Sequence, residues 1–579
     1  MITNQLTYTK ITTMKRKFTI LMALIFYNLI IAQYQFTQVA DINPGNGSSN
    51  PKFTMHVNGS LFFNATSNNG QQKLYKTNGN NAELVADIND TSGYNPIPFA
   101  TINNKLLFFA TTSVFGTEIF VTDGTSEGTS ILKDFYPGAD GIITSFIQDQ
   151  TVVFNNQLYF WIKGQDNKYF LWKTDGTTTG TLQVTPDNDG YHFPSSVMLV
   201  YNNMIYFDAR KNSFDMYNML FRTDGTASGT VLFQDIPITI ATGSNPTDFI
   251  VYDSLLYYSA GNDNGAFGKE LWRTDGTVGG TELVADIFPN NIANSSKGSS
   301  PAHFIIYNDE LYFSAKGFHT GSNQSIGNEL FKYNPDDGVV LVKEFYPGTL
   351  SGIDSGKPFF IMDNILYIIA RDASTGLFDE LWKSIDGTTS GVSKAVTLSD
   401  LGAGSGGFSG VLQFDNGIVL NDKFYFVNVS SLWVTKGNNE STEKLTNPVN
   451  IFDFSIPNLS DFRNSNIIFN NELYFAGSNN LGVELWKLTD KSLSTNNYNN
   501  TITQKLNIFP NPGNIIVTVN SNEAIDNIEL FTVLGKNLTV QKSINQNNIQ
   551  INVSTINPGI YILKAFINNK TISKKLIIN

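Results

Sequence analysis

The sequence predicts an all-β fold whose main part is a β-propeller of four-stranded blades. A strand of the type Leu-Tyr-Phe, followed by Leu-aromatic-basic and a turn such as Asp-Gly-Thr, recurs nine times, most completely at residues 270–277. The units repeat about every 51 residues, and periods of roughly 40 to 50 residues are typical of propellers, solenoids or arrays. The anchor strands begin at Leu61, Leu106, Leu158, Ile205, Leu255, Leu311, Leu366, Phe424 and Leu473.

Each unit has room for four short strands. In the sixth unit these are residues 304–307, 311–315, 329–333 and 339–345. Turn residues such as Asn308-Asp309 join the strands, which is the pattern of antiparallel hairpins. Four antiparallel strands make one propeller blade.

The third strand of every unit carries a large ring beside a leucine. Rings in such a series serve either as stacking platforms for sugars or bases, or as core. Successive side chains of a strand point to opposite faces, so this strand has two apolar faces, and we favour the core interpretation. The rings are Tyr75, Phe120, Trp172, Phe221, Trp272, Phe331, Trp382, Trp433 and Trp486.

The two ends of the repeat region predict head-to-tail closure of one ring. Residues 39–45 match the fourth strand of later units, such as residues 284–289, and therefore form an orphan strand ahead of the first unit. The ninth unit stops at Asp490 without a fourth strand. Pairing the two would remove open sheet edges. Nine blades exceed the usual four to eight, so an irregular unit outside the ring is the alternative.

Composition and the first residues predict an exported protein. Residues 15–17 are basic, residues 18–32 are mainly apolar, and Ala32 is a plausible cleavage position, which together indicate a signal peptide over residues 1–32 and no membrane span. Zero cysteines exclude disulfides and thiolate sites. A net charge of −12 argues against nucleic acid as a partner.

Beyond the repeats, which we place at residues 33–490, an Asn-, Ser- and Thr-rich linker at 491–505 leads into a segment of different style. Its motifs are Phe509-Pro510-Asn511-Pro512, Leu534-Gly535-Lys536 and Pro558-Gly559-Ile560-Tyr561. Residues 506–579 resemble the C-terminal sorting domain of the type IX secretion system. The resemblance implies a small Ig-like β-sandwich that is recognised by the secretion machinery through Pro510, Asn511, Pro512, Gly535, Lys536, Gly559 and Tyr561, with the protein secreted or attached to the cell surface.

The repeats themselves are similar to the ELWxTDGT repeats of exported bacterial proteins, a resemblance that implies no particular activity. Their Asp-Gly-Thr segments invite a metal-binding or catalytic hypothesis. The alternative is a turn, in which Asp accepts nearby N–H groups and Gly takes a positive φ. We favour the turn because several units replace the Asp, as Lys436-Gly437 does.

Loop lengths assign the two sides of the ring different roles. Turns between strands one and two, and between three and four, are short and share one side, which we call the short-loop side. The remaining loops are long and variable, define the long-loop side, and are where binding residues concentrate on rigid scaffolds. Tolerated surface drift is the alternative. The candidate binding residues are Arg210, Asp215, Tyr217, Phe267, His319, Arg371 and Asp372.

We therefore predict an adhesion-like binding or interaction module, with a glycan or an extracellular protein as partner. We expect no cofactor, no metal and no catalytic residue that the sequence can identify. A polysaccharide-active enzyme, either a glycoside hydrolase or a lyase, is one alternative. A structural surface-layer component is another.

Overall fold

The computed structural model describes residues 33–578 with internal gaps, in two compact units that divide between Leu493 and Ser494. The gaps are 89–93, 138–149, 165, 187–189, 195–197, 214, 216, 234–243, 262–267, 290–297, 320–323, 354–355, 357, 375–379, 397–412, 429–430, 446–466, 480–481, 492–505, 510–515, 522–524, 533–536, 539–540, 546–547, 555, 558 and 568–569. Ala32, Phe267, Pro510, Asn511, Pro512, Gly535 and Lys536 lie outside the described residues.

The first unit begins with strand β1, Tyr34–Ala40, which belongs to the last sheet of the unit. Blade 1 comprises β2 (Lys52–Val57), β3 (Ser60–Thr66), β4 (Gln72–Thr77) and β5 (Ala82–Leu84). Blade 2 comprises β6 (Ile97–Ile102), β7 (Lys105–Thr112), β8 (Gly116–Thr122) and β9 (Ser130–Lys133). Blade 3 comprises β10 (Val152–Phe154), β11 (Gln157–Lys163), β12 (Tyr169–Thr174) and β13 (Leu182–Gln183).

The middle blades follow the same order. Blade 4 comprises β14 (Met198–Tyr201), β15 (Met204–Ala209), β16 (Met219–Thr223) and β17 (Val231–Leu232). Blade 5 comprises β18 (Thr247–Tyr252), β19 (Leu255–Ala260), β20 (Glu270–Thr274) and β21 (Glu282–Ala285). Blade 6 comprises β22 (Ala302–Tyr307), β23 (Glu310–His319), β24 (Gln324–Asn334) and β25 (Gly338–Lys343).

The last blades complete the unit. Blade 7 comprises β26 (Phe359–Met362), β27 (Ile365–Ala370), β28 (Glu380–Ser384) and β29 (Val392–Val396). Blade 8 comprises β30 (Gln413–Leu420), β31 (Lys423–Asn428), β32 (Ser431–Thr435) and β33 (Glu443–Lys444). Blade 9 comprises β34 (Ile467–Phe469), β35 (Glu472–Asn479), β36 (Gly482–Asp490) and the head strand β1. Short 3-10 turns occupy Val278–Gly280 and Asn439–Ser441.

The predicted all-β architecture of four-stranded antiparallel blades is confirmed. Two-residue turns with positive φ join the first two strands of a blade, as at Asn308 (φ 50°) and Asp309 (φ 59°), and such turns match the twist of a hairpin. The second strand is buried on both faces: in β7 all side chains from Leu106 to Ala110 are at most 1% exposed. Each sheet therefore needs a neighbour on either side.

Apolar clusters between the sheets run once around the unit and return to their start. Among the described residues, eight clusters each join two blades that follow one another in the chain, and a ninth joins the last blade to the first. The ninth joins Phe469 and Leu485 of blade 9 to Leu61 and Phe63 of blade 1. The rings of the third strand lie within or against these clusters, and Trp272 and Trp486 are each only 5% exposed, which supports the core interpretation.

The head strand supplies the missing edge of blade 9. β1 pairs antiparallel with β36 from Tyr34 opposite Asp490 to Ala40 opposite Leu485. The Lys491 amide extends the ladder by donating to the Gln33 carbonyl at 2.7 Å. A buried ion pair between Lys423 and Asp490 ties blade 8 to the same edge. The pairing that the sequence predicts between head and tail is therefore present, but the strand spans residues 34–40 and not the predicted 39–45, because the repeated motif marks the end of the strand and the loop after it.

The Asp-Gly-Thr segments form the predicted turns and also connect blades. Asp275 accepts hydrogen bonds from the Thr277 amide and hydroxyl, both at 2.7 Å, and Gly276 has φ of +89°. The Arg222 guanidinium of blade 4 donates to the Gly276 carbonyl of blade 5 at 2.7 Å. Lys76 and Lys173 donate in the same way to Gly124 and Gly225 of the next blade. The motif is thus part of the framework on the short-loop side.

The second unit is a sandwich of two four-stranded antiparallel sheets. One sheet has the order β37, β38, β42, β41 and the other β40, β39, β43, β44. A shared apolar core contains Val517 and Ile551 from the first sheet and Leu530 and Leu563 from the second. The strands are β37 (Leu506–Phe509), β38 (Ile516–Ser521), β39 (Asn527–Thr532), β40 (Asn537–Leu538), β41 (Gln541–Asn545), β42 (Asn548–Asn552), β43 (Gly559–Ile567) and β44 (Lys570–Ile578).

Deleting residues 33–45 should destabilise the propeller, because it removes β1 and exposes the edge of β36. We expect the midpoint of thermal unfolding to fall by at least about 5 °C. A deletion of equal length within residues 491–505 is the control and should leave the midpoint unchanged. Equal midpoints for the two deletions would refute the role of β1.

Replacing Gly225 with alanine should disturb the contact between blades 3 and 4. A Cβ at Gly225 (φ +87°) would press on the Tyr159 hydroxyl, whereas a Cβ at Gly59 (φ +70°) would meet open space. The two variants share the cost of a positive φ, so their difference isolates the clash. We expect Gly225→Ala to lose about 1–3 kcal/mol more than Gly59→Ala in urea unfolding. Equal losses would contradict the contact.

Candidate functional site

Three of the predicted binding residues lie together in the loop between the second and third strands of blade 4. The Arg210 guanidinium donates to the Asp215 carbonyl and to the Asn218 amide oxygen, both at 3.0 Å, and lies 4.9 Å above the Phe193 ring. The Asp215 carboxylate accepts from the Asn212 amide at 2.9 Å. Tyr217, in the same loop, is half-buried. These contacts brace the loop against its own blade.

Two other candidates lie in blade 7. The Arg371 guanidinium sits 5.8 Å from the centre of the Tyr346 ring of blade 6. Asp372 forms an ion pair with Lys394 and accepts from the Ser374 amide at 2.9 Å. Burial opposes ionisation of Asp372, but hydrogen bonds from Lys394 and Ser374 hold its pKa below the usual value. Arg371 and Asp372 therefore lie in a different blade from the three candidates of the blade 4 loop and contact different residues.

The other predicted site residues that the structure describes lie in blade 6 and in the sandwich. His319 ends strand β23 of blade 6. Gly559 begins strand β43 of the sandwich, and the Tyr561 hydroxyl on the same strand donates to the Asn557 carbonyl at 2.6 Å. Within the described parts of the chain, no group of three or more His, Asp or Glu side chains is arranged to hold a metal ion.

A cleft of about 580 Å³ between blades 2 and 3 on the long-loop side was not predicted. Phe135 and Tyr136 follow the last strand of blade 2 and form one wall, and Trp172 of strand β12 forms another. The Phe135 and Trp172 rings meet edge to face, with centroids 4.8 Å apart. The Lys133 ammonium lies 5.3 Å from the Trp172 ring centre. The further lining residues are Pro137, Gly164, Asp166, Phe170 and Gln183.

A buried glutamate fixes the Phe135-Tyr136 wall. Glu118 is 0% exposed, and its carboxylate accepts from the Phe135 amide at 3.2 Å and the Tyr136 amide at 3.4 Å. Burial raises the pKa of Glu118 to about 7, although these amide bonds lower it in part. The wall is thus held by a side chain that never reaches the surface.

Glutamate recurs at the equivalent position of other blades. Glu270 accepts from the Ile287 amide at 3.0 Å and the Ser299 amide at 2.9 Å, both in the loop that leads to the next blade. Burial raises the pKa of Glu270 and of Glu329 to about 8. Sequence reasoning missed these residues, although each directly precedes the Leu-aromatic pair or, in blade 2, its Ile119-Phe120 equivalent. The glutamates are Glu118, Glu270, Glu329, Glu380 and Glu484, all 0% exposed.

The cleft framework occurs a second time between blades 6 and 7. Residues 343–348 repeat the Lys-acid-Phe-Tyr-Pro-Gly pattern of residues 133–138, a signal visible in the sequence. Glu329 accepts from the Phe345 amide at 2.7 Å and the Tyr346 amide at 3.3 Å. The Phe345 and Trp382 ring centroids are 5.1 Å apart. The same wall is therefore built twice.

Comparison with known proteins identifies the C-terminal unit. Residues 507–579 match the family model of the secretion system C-terminal sorting domain. This domain indicates export by the type IX secretion system, interaction with that machinery, and a secreted or cell-surface location. No helix in the described ranges combines the length and apolar character that crossing a membrane requires.

Solved structures match much of the chain at low sequence identity. No curated protein matches it. A puromycin-hydrolysing peptidase of Mycobacterium tuberculosis shares 10% identity at a TM-score of 0.31, over 62% of this chain and 56% of that one. A puromycin hydrolase shares 10% identity at a TM-score of 0.32, over 69% and 62%. A prolyl endopeptidase shares 14% identity at a TM-score of 0.32, over 68% and 53%. This chain spans less than two thirds of each, and the likeness supports no functional inference.

Replacing Glu270 with glutamine should flatten part of the pH dependence of stability. The folded-state pKa of Glu270, about 8, exceeds the usual glutamate pKa of 4.5, so this group stabilises the fold fully below about pH 4.5 and loses that contribution as the pH rises towards 8. Glutamine mimics the protonated acid at every pH. Relative to Glu270→Gln, wild type should lose up to about 1.4 kcal/mol per pH unit within this window.

The measurement is urea unfolding at several pH values between about 5 and 8, where the shift acts. Glu127→Gln, at an exposed turn position of blade 2, is the control. A wild-type curve that runs parallel to that of Glu270→Gln across this window would contradict the raised pKa.

Proposed function

We propose that the exported protein is an extracellular binding module whose long-loop side holds the ligand. The cleft between blades 2 and 3 carries this proposal, because it combines aromatic walls with a few polar groups. Ligand sites typically have this composition and occupy about 300–1,000 Å³. The cleft also lies on the side that the loop lengths favour.

The contacts of the opposite side support the assignment. Arg222, Lys76 and Lys173 on the short-loop side donate to glycine carbonyls of neighbouring blades. On the same side, the Asp275 carboxylate accepts a hydrogen bond from within its own turn. These groups maintain the ring, whereas the long-loop side carries an open cleft on the same rigid framework.

The segments near the two ends of the chain supply the export route of the protein. In this proposal residues 1–32 direct entry into the periplasm and are removed after Ala32. The sorting domain then engages the secretion machinery through its Pro510, Gly535 and Gly559 motifs. Release into the surroundings and attachment to the cell surface are both compatible with a binding role.

Site-directed shielding should locate the binding side, since the chain has no cysteine of its own. Pro137→Cys places a thiol at the cleft and Glu127→Cys places one in the exposed turn on the short-loop side of the same blade. We expect at least one ligand on an array of glycans and extracellular proteins to retain the exported protein. Coupling polyethylene glycol at residue 137 should lower retention by at least about 10-fold, and coupling at residue 127 should not.

Each other outcome counts against a stated element of the proposal. Absence of any retained ligand would contradict the binding function. Equal retention with both shields would contradict the long-loop side as its location. Release of new reducing ends from retained glycans would show that the protein is a polysaccharide-cleaving enzyme instead, either a hydrolase or a lyase.

A further inference from the structure

We infer that the cleft between blades 2 and 3 binds a neutral saccharide chain, and that the equivalent position between blades 6 and 7 is closed to it by an ion pair. This inference rests on the proposed binding function and specifies its ligand and its site. Three observations carry it: the shape of the aromatic walls, the polar groups beside them, and the difference between the two copies of one framework.

The walls suit the apolar side of a sugar ring. Phe135 is 9% exposed and supports the half-buried Trp172 from its edge, so that the indole keeps one orientation. Lys133 lies over the same ring, which restricts the indole further. Tyr136 stands on the opposite wall, held through its amide by Glu118. Fixed aromatic rings offer large contact area at low entropic cost.

The polar groups suit hydroxyls and not a net charge. Asp166 and Gln183 line the cleft beside the rings. The Asp166 carboxylate is neutralised by Lys168, whose ammonium lies 3.1 Å away. A pyranose ring presents C–H groups on its faces and hydroxyls at its rim. The C–H faces can pack against the aromatic rings of the cleft, and the hydroxyls can hydrogen-bond to its polar groups. Because Asp166 is already paired, the lining residues offer a charged ligand no unpaired counter-charge, and the net charge of −12 opposes an anion further.

Two positions distinguish the two copies of the framework. Gly164 and Asp372 follow their anchor leucines, Leu158 and Leu366, by the same number of residues. Gln183 lies opposite Trp172 in the strand register, and Lys394 lies opposite Trp382. Blade 3 therefore has Gly and Gln where blade 7 has Asp and Lys.

The substituted pair lies at the corresponding position of the second copy. Asp372 and Lys394 form an ion pair, and the Lys394 ammonium lies 5.7 Å from the Trp382 ring centre. Arg371 adds its guanidinium over the Tyr346 ring. In blade 3, a Cβ at Gly164 would come within 2.9 Å of the Phe170 ring and 3.3 Å of the Tyr136 hydroxyl. Glycine at position 164 thus lets the Phe170 and Tyr136 rings line the cleft, at the position where blade 7 carries Asp372 and its ion pair.

Exchanging these residues tests the inference in both directions. Isothermal titration calorimetry would use the exported protein and neutral xylo-, manno-, cello-, laminari- and malto-oligosaccharides. Wild type should bind at least one of them at one site. The double variant Gly164→Asp, Gln183→Lys should weaken that binding by at least about 10-fold. The double variant Asp372→Gly, Lys394→Gln should raise the number of sites from one to two.

Leu182→Lys is the control for the Gln183→Lys half of the double variant, because it adds the same positive charge to strand β13 at a position that is 50% exposed, and it should not change the affinity. Thermal unfolding of each variant reports whether it folds. Tyr136→Ala removes a half-buried wall instead of filling the cleft, so it tests the same site even where the double variant fails to fold. It should weaken binding by a similar factor.

The outcomes separate this inference from the proposed function. Array ligands that remain bound equally well by the Gly164→Asp, Gln183→Lys and Tyr136→Ala variants would overturn the site but leave a binding module. Tighter binding of uronic-acid oligosaccharides than of neutral ones would overturn the ligand class. Failure of both the array and the calorimetry to show any ligand would remove the proposed function as well.

Discussion

Burial of both faces of every sheet is the constraint on which the propeller depends. A strand such as β7, with five successive side chains at most 1% exposed, cannot be satisfied by the core of one sheet. Each blade completes the core of its two neighbours. The cluster of Val39, Leu61 and Phe469 joins the last blade to the first in the same way. Surface loops are then free to vary, because the stability of the unit lies between the sheets.

The buried glutamates connect this framework to the long-loop side. They lie on the third strand, directly before its apolar-aromatic pair, where an apolar residue would leave the amides of the loop after the fourth strand without acceptors. Glu118 and Glu329 place Phe-Tyr pairs over the tryptophan of the next blade, and Glu270 holds the Ile287 and Ser299 amides. The cleft walls are therefore as well ordered by hydrogen bonding as the strands that carry them.

Most of the framework was predictable from the sequence, and the cleft was not. The sequence of residues 39–45 resembles that of a fourth strand, so the pairing of β1 with the last blade could be predicted from the sequence alone. Asp275 and Gly276 form a turn that depends only on adjacent residues. The cleft depends instead on which loop of one blade covers which ring of the next. Arg210 and Asp215 were chosen for loop length and charge, which do not reveal that each is engaged within its own loop.

The pairing of β1 with β36 also determines the order of folding events. Strands β2 to β35 find their partners nearby in the chain, whereas the Ile42 amide and the Glu484 carboxylate that bond across blade 9 are 442 residues apart. Closing so long a loop has a high entropic cost, and contacts of high sequence separation form slowly. Strand β1 therefore has no partner until β36 has been synthesised, and a ring that has not yet closed exposes two edges to which other chains could pair.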